Sequence, residues 1–185
     1  GAPKTLFLAT EPGLGAIECY QVPIGNWTDL REAFVLLKSG GHGFETVVID
    51  TIGNAYRMAR EAAIAEYNAA HRGVPITHPS DLPYGKGWDM VSDKFMGFLN
   101  ALAALGMGMI MIAHEKTDEE AKHRSADLSG GVKAKIEGWV DAVLLAETIQ
   151  EMEGDKRISR RVLRTRSDAT FAAGVRDRTR KLPDP

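Results

Sequence analysis

Glu11, Asp50 and His114 are the residues of this chain whose types and positions could do chemistry together. Each stands at or just past the end of a short apolar run. Residues 5–10 lead into Glu11-Pro12-Gly13, residues 46–49 into Asp50-Thr51, and residues 109–113 into His114. A carboxylate closing a β-branched run, as Asp50 does in Thr-Val-Val-Ile-Asp-Thr, suits Mg2+, a hard cation that prefers oxygen ligands and keeps part of its water shell. A carboxylate placed as Glu11 is can orient or deprotonate a water within hydrogen-bond reach. The imidazole of His114 can contact an anionic group and report its presence to the loop beyond it. Taken singly, each has a plain structural explanation: a helix-capping aspartate, a loop carboxylate, a hydrogen-bonded edge histidine. Their shared placement is the functional signal.

The elements that must position them can be read from the patterning. The three runs, with a fourth at 140–145, are apolar with few breaks, as strands buried on both faces of a parallel sheet are. Helical periodicity fills the gaps. One helix runs from about Thr28 to Lys38 and is stopped by Gly40-Gly41; a second covers about 54–70 and a third about 88–105. Strands alternating with helices predict an α/β sheet with right-handed crossovers, and ligands of such sheets bind beyond the carboxyl ends of the strands. That edge collects Glu11, Asp50, Thr51 and His114. After residue 146 the pattern predicts a hairpin between 157–165 and 170–175, joined at Ser167-Asp168. Two polar loops, 71–87 and 115–131, are longer than an α/β unit requires and are candidates for function. No repeat or domain boundary is visible, so residues 1–185 read as one domain.

Composition bounds the partners. With 44% hydrophobic and 26% charged residues the chain is globular rather than disordered. The longest apolar stretch, near 99–113, is interrupted by Asn100, Gly106 and Gly108 and is too short for a membrane span. The N-terminus has no signal-peptide pattern, which points to the cytoplasm. The single cysteine, Cys19, excludes an internal disulfide and a structural zinc site. The net charge of −2 hides an asymmetry. Residues 156–185 hold ten Lys/Arg against three Asp/Glu, and residues 1–155 hold thirteen against twenty-two. A basic tail of that kind can meet phosphates, whether of a nucleotide or of nucleic acid.

The order of motifs resembles the RecA-like branch of P-loop ATPases, and within it the phage-encoded ATP-binding proteins related to single-strand annealing recombinases. The resemblance spans nearly the whole chain. It is carried by Phe-Leu-Ala-Thr-Glu11-Pro-Gly-Leu, by Val-Val-Ile-Asp50-Thr51 as a Walker B strand, and by Met-Ile-Ala-His114-Glu-Lys. It extends to Tyr84-Gly-Lys-Gly-Trp88, Trp139-Val-Asp141 and the ending Arg176-Asp-Arg178-Thr-Arg-Lys181-Leu-Pro183. The resemblance implies a three-layer α/β sandwich with a mostly parallel central sheet and a C-terminal β-hairpin, binding ATP with Mg2+. Asp50 would serve the metal and Thr51 its water shell, Glu11 would activate water, and His114 would sense the γ-phosphate. Arg176, Arg178 and Lys181 would reach a nucleotide in a neighbouring subunit of a ring or filament. The two long loops stand where such recombinases contact single-stranded DNA, although 115–129 holds three Lys/Arg against five Asp/Glu.

One element of the family is absent. A P-loop needs Gly-x-x-x-x-Gly-Lys-Ser/Thr to wrap phosphates at a helix N-terminus, and no such run occurs here. Tyr84-Gly-Lys-Gly-Trp88 and Gly130-Gly131-Val-Lys133 both fail the pattern and read as loop hinges. In the family the P-loop precedes the segment that begins here at Gly1. The expectation is therefore a core lacking its first strand, loop and helix, which would neither bind ATP tightly nor hydrolyse it. That strand would be central, between those near 109 and 140. Two other readings compete: a nucleotide-independent interaction or oligomerisation module that kept the fold, and a metal-dependent hydrolase built on Asp50, His114 and His123.

Overall fold

Strands whose side chains are apolar on both faces are stable only inside a sheet covered on both sides. The computed structural model describes residues 2–120 and 122–176, and the runs around Glu11, Asp50 and His114 form one parallel sheet, in which Thr5–Ala9 and Thr46–Asp50 are largely buried. The run before His114, expected to be buried on both faces, is instead an edge strand with Ile110 and Ile112 exposed on one face. β1 (Thr5–Ala9), β2 (Tyr20–Pro23), β3 (Thr46–Asp50) and β4 (Gly108–Ile112) lie in the order β2-β1-β3-β4. All three pairings are parallel, and the register sets Ala9 beside Asp50 and Asp50 beside Ile112. The strand ends therefore line up along one edge. Leu8 and Ile49 are fully buried, each contributing about 1.5–3 kcal/mol of apolar burial.

The crossovers are helical: α1 (Trp27–Ser39) between β2 and β3, then α2 (Ile52–Ala70) and α3 (Lys86–Ala103) between β3 and β4. α1 begins at a capping box. The Asn26 side chain accepts from the amides of Thr28 and Asp29, while Asp29 Oδ2 accepts from the amide of Asn26, worth ~1 kcal/mol. The three helices meet through aromatic rings, Trp27 against Phe98 at 5.2 Å and Tyr56 against Phe95 at 5.3 Å. The chain thus has the α/β architecture expected, a parallel sheet flanked by helices with additional antiparallel pairs.

The predicted helices shift by a few residues at their starts because caps and turns, rather than periodicity, fix their ends. The segment Tyr84–Trp88 is a helix entry. Tyr84 and Gly85 have positive φ (59° and 75°) and deliver the chain into α3. Gly87 sits against Pro79 so closely that a Cβ would lie 2.1 Å from the Pro79 carbonyl oxygen. The 71–87 loop is itself ordered by side chains: Asn68 holds the main chain of Ile76 from both sides, and Asp81 Oδ2 accepts from the amides of Thr77 and His78.

Two compact units divide the chain between His114 and Glu115. The second contains the hairpin β5 (Glu115–Asp118) and β6 (His123–Ala126), α4 (Gly130–Trp139), the pair β7 (Ala142–Val143) and β10 (Gly174–Val175), and the hairpin β8 (Leu145–Glu153) and β9 (Lys156–Arg164). Three expectations are corrected here. The run 140–145 is not one strand of the parallel sheet; β7 pairs antiparallel with β10, and Leu145 already belongs to β8. The basic segment 157–165 pairs with the residues just before it through the two-residue turn Gly154-Asp155, not with 170–175. A Gly-Asp pair whose glycine takes positive φ, here 62° at Gly154, is a tight-turn signal, and the shorter connection wins. Finally, Gly130-Gly131 opens α4 rather than forming a hinge, and β5 and β6 occupy much of the 115–131 loop.

Candidate functional site

The site is built from the first unit alone. At the tips of β1 and β3 the two chains are stitched by Thr10: its amide donates to the Asp50 carbonyl at 2.6 Å, its hydroxyl accepts from the Thr51 amide at 2.7 Å and donates to the Thr51 carbonyl at 2.9 Å. Both threonines are buried, so these groups have no water to turn to, and the clamp fixes where Asp50 and Glu11 stand.

Glu11 is the hub of the edge. Its Oε2 accepts from the Thr51 hydroxyl at 3.2 Å and from Asn54 Nδ2 at 2.9 Å. His114 Nε2 lies 3.0 Å from Oε1 and 3.2 Å from Oε2. A carboxylate only accepts, so Nε2 carries the proton in this contact. Oε2 is thereby crowded with donors, whereas Oε1 has His114 alone and keeps lone-pair capacity for one more. The glutamate side chain is 28% exposed and His114 68%, so the pair faces solvent at the sheet edge.

Asp50 sits differently. Among the described residues its carboxylate makes no hydrogen bond or ion pair. Burial holds its carboxyl above the ordinary aspartate range, the negative charge of Glu11 pushes the same way, and His114 pulls back. Such a carboxylate, partly desolvated, unpartnered and beside a second acid, gains most from an added cation. It is an oxygen donor, which suits a hard divalent ion. No group of three His, Cys, Asp or Glu that could hold a metal ion occurs among the described residues. A Mg2+ that keeps its waters and shares phosphate oxygens needs only one or two carboxylates.

The structure therefore brings together Glu11, Asp50, Thr51 and His114 at one edge. Asp50 is not a helix cap: Thr51 holds the N-cap position of α2, without a side-chain cap bond. Arg176 belongs to the second unit, where its amide donates to the Asp141 carbonyl at 2.8 Å and its guanidinium to the Gly138 carbonyl at 2.5 Å. Arg178 and Lys181 lie outside the described residues. Two contributors escape sequence reasoning, Thr10 and Asn54. A polar residue in the first turn of the helix after a strand-end acid is the signal that could have found Asn54. Thr10 reads as the last residue of an apolar run and carries no signal of its own.

Among the described residues no helix is long and apolar enough to cross a membrane. No curated protein and no solved structure matches the chain. A family model does: that of the AAA domain, over residues 1–177. With its parallel sheet and its acid at the end of β3, the chain belongs to the AAA domain family, a P-loop NTPase type of nucleotide-binding domain.

Proposed function

We propose that the edge formed by Glu11, Asp50, Thr51 and His114 is the metal and water side of a Mg-ATP site. The parent activity is that of a phage-type recombination or replication ATPase in the host cytoplasm, with nucleotide controlling homo-oligomeric assembly, as a ring or filament, on single-stranded DNA. The observation that carries this is the convergence of Thr51, Asn54 and His114 on Glu11 beside an unpartnered Asp50.

Mg2+, when bound with the triphosphate, would neutralise charge developing on the transferred phosphoryl group. Asp50 would hold the hydrated ion, with the Thr51 hydroxyl, already donating to Glu11, beside it as a further oxygen. Glu11 Oε1, the less occupied oxygen, takes the proton of an attacking water, while the bonds at Oε2 keep the carboxylate from rotating away. His114, held to Glu11 without nucleotide, would be the residue positioned to exchange that partner for the γ-phosphate and so to sense occupancy.

The test is binding of Mn-ATP to the chain by equilibrium dialysis, comparing wild type with Asp50→Asn. Weak binding that falls about tenfold or more in the variant supports the reading. Binding unaffected by Asp50→Asn overturns the site, and no nucleotide effect on binding or sedimentation favours the interaction module instead.

A further inference from the structure

The hairpin of β8 and β9 has two unlike faces. Cross-strand partners share a face, and the register pairs Thr148 with Arg161, Gln150 with Ser159 and Met152 with Arg157. On the opposite face Leu145, Ile149, Ile158 and Val162 are half-buried, and two of the three cations there are tied to acids, Arg164 to Glu147 at 2.6 Å and Arg160 to Glu151 at 3.0 Å, the third being Lys156 beside the turn. That face supplies the packing a two-stranded ribbon needs to persist. The first face is different. The even-numbered residues of β8 and the odd-numbered residues of β9, from Ala146 to Met152 and from Arg157 to Leu163, are all exposed, and none is acidic. Among the described residues Arg157 and Arg161 have no ion-pair or hydrogen-bond partner. Met152 and Leu163 are exposed beside them.

We infer that this face of the hairpin binds single-stranded nucleic acid. Its two free guanidiniums, on a strand that rises about 3.3 Å per residue, stand roughly 13 Å apart, within reach of separate phosphates of one extended backbone. The amide and hydroxyl of Gln150 and Ser159, bonded to each other at 2.7 Å, lie between them. A guanidinium plane can lie against the face of an unpaired base, which a duplex keeps stacked inside, and the exposed Met152 and Leu163 add apolar contact beside it, so the face favours a single strand over a double one. An acid-free face with unpaired cations also repels neither phosphate nor base. The inference rests on the nucleic-acid part of the function proposed above, but not on its nucleotide site.

Two variants of equal charge test it. Arg157→Ser with Arg161→Ser strips the exposed face; Lys156→Ser with Arg160→Ser strips the other, where the Arg160 ion pair is solvent-exposed and stabilises little. Binding of a fluorescent oligothymidylate is measured by anisotropy across a salt series, in wild type and both variants. The first variant is expected to lose about tenfold in affinity and to flatten the log–log salt slope by about 1.4, while the second stays near wild type. Equal losses in both would reduce the effect to net charge and overturn the inference. So would a wild type that binds no oligomer, or a first variant altered only in sedimentation, which would assign the face to a second copy. A readout without substitution accompanies it: phenylglyoxal modification of the wild-type protein, where the oligomer should protect Arg157 and Arg161 and leave Arg160 reactive. Protection absent at those two arginines contradicts the assignment. Loss of Mn-ATP binding in Asp50→Asn with oligomer binding retained would show the two sites failing or standing separately.

Discussion

His114 Nε2 lies 3.0 Å from Glu11 Oε1, and this contact joins the ends of two strands that are not neighbours, since β3 runs between β1 and β4. The bond therefore passes over the tip of β3, where Asp50 and Thr51 stand. A side chain that bridges two strand ends across the tip carrying Asp50 is placed to respond to a ligand bound there.

The Asp50 carboxyl is raised by burial and by Glu11, so the native chain holds that proton more tightly than the unfolded chain does. Between the ordinary aspartate value and the raised one, stability falls as pH rises, and above that window the ionised group costs its full amount. Asp50→Asn should therefore raise the melting temperature at neutral pH, by about 2–4 °C for each 1 kcal/mol recovered, and change it little at pH values where the wild-type carboxyl is protonated. Thermal unfolding of both proteins across that range checks it. Glu11→Gln should move the Asp50 titration back down, as read by carboxyl 13C shifts.

Thr10 is predicted to be indispensable for the geometry of the edge. Thr10→Val keeps the shape but leaves the buried Thr51 amide without an acceptor, at a cost of about 1–3 kcal/mol. Thr10→Ser restores the hydroxyl and should recover most of it. Chemical denaturation of the three proteins decides the point; equal stability of the valine and serine variants would mean the clamp carries no energy.

Much of this architecture was legible in the residues, and the reasons for success and failure are physical. Val47, Val48 and Ile49 announce a strand buried on both faces, and burial on both faces implies a parallel sheet whose carboxyl edge gathers Asp50 and its neighbours. The gathering of Glu11, Asp50 and His114 at one edge was foreseeable because parallel strands end at a common carboxyl edge. Thr10 and Asn54 were not, because a hydroxyl or amide contributes through partners distant in sequence. β2 was missed since its four residues are all exposed and present no buried pattern. The β8–β9 hairpin was misassigned because Glu147, Glu151 and Glu153 mask a strand that depends on cross-strand arginines.

Two glycines of α3 should respond in opposite directions. At Gly87 a methyl group would lie 2.1 Å from the Pro79 carbonyl oxygen, while at Gly97 there is nothing within 4 Å. Gly97→Ala is expected to stabilise the helix by about 0.5–1 kcal/mol. Gly87→Ala must displace the 3-10 turn at Pro79–Asp81 and should destabilise by about 1–3 kcal/mol. Urea unfolding of both variants measures the contrast, and similar effects at the two sites would refute the close packing.

The most direct measurement of the proposed site is paramagnetic broadening of amide and methyl signals by Mn-ATP, with Mg-ATP as the diamagnetic reference, because it locates even weakly bound metal. Broadening should centre on Glu11, Asp50, Thr51, Asn54 and His114 and vanish in Asp50→Asn. Broadening centred elsewhere in the chain, or equally strong in the variant, would contradict a metal–nucleotide role for this edge.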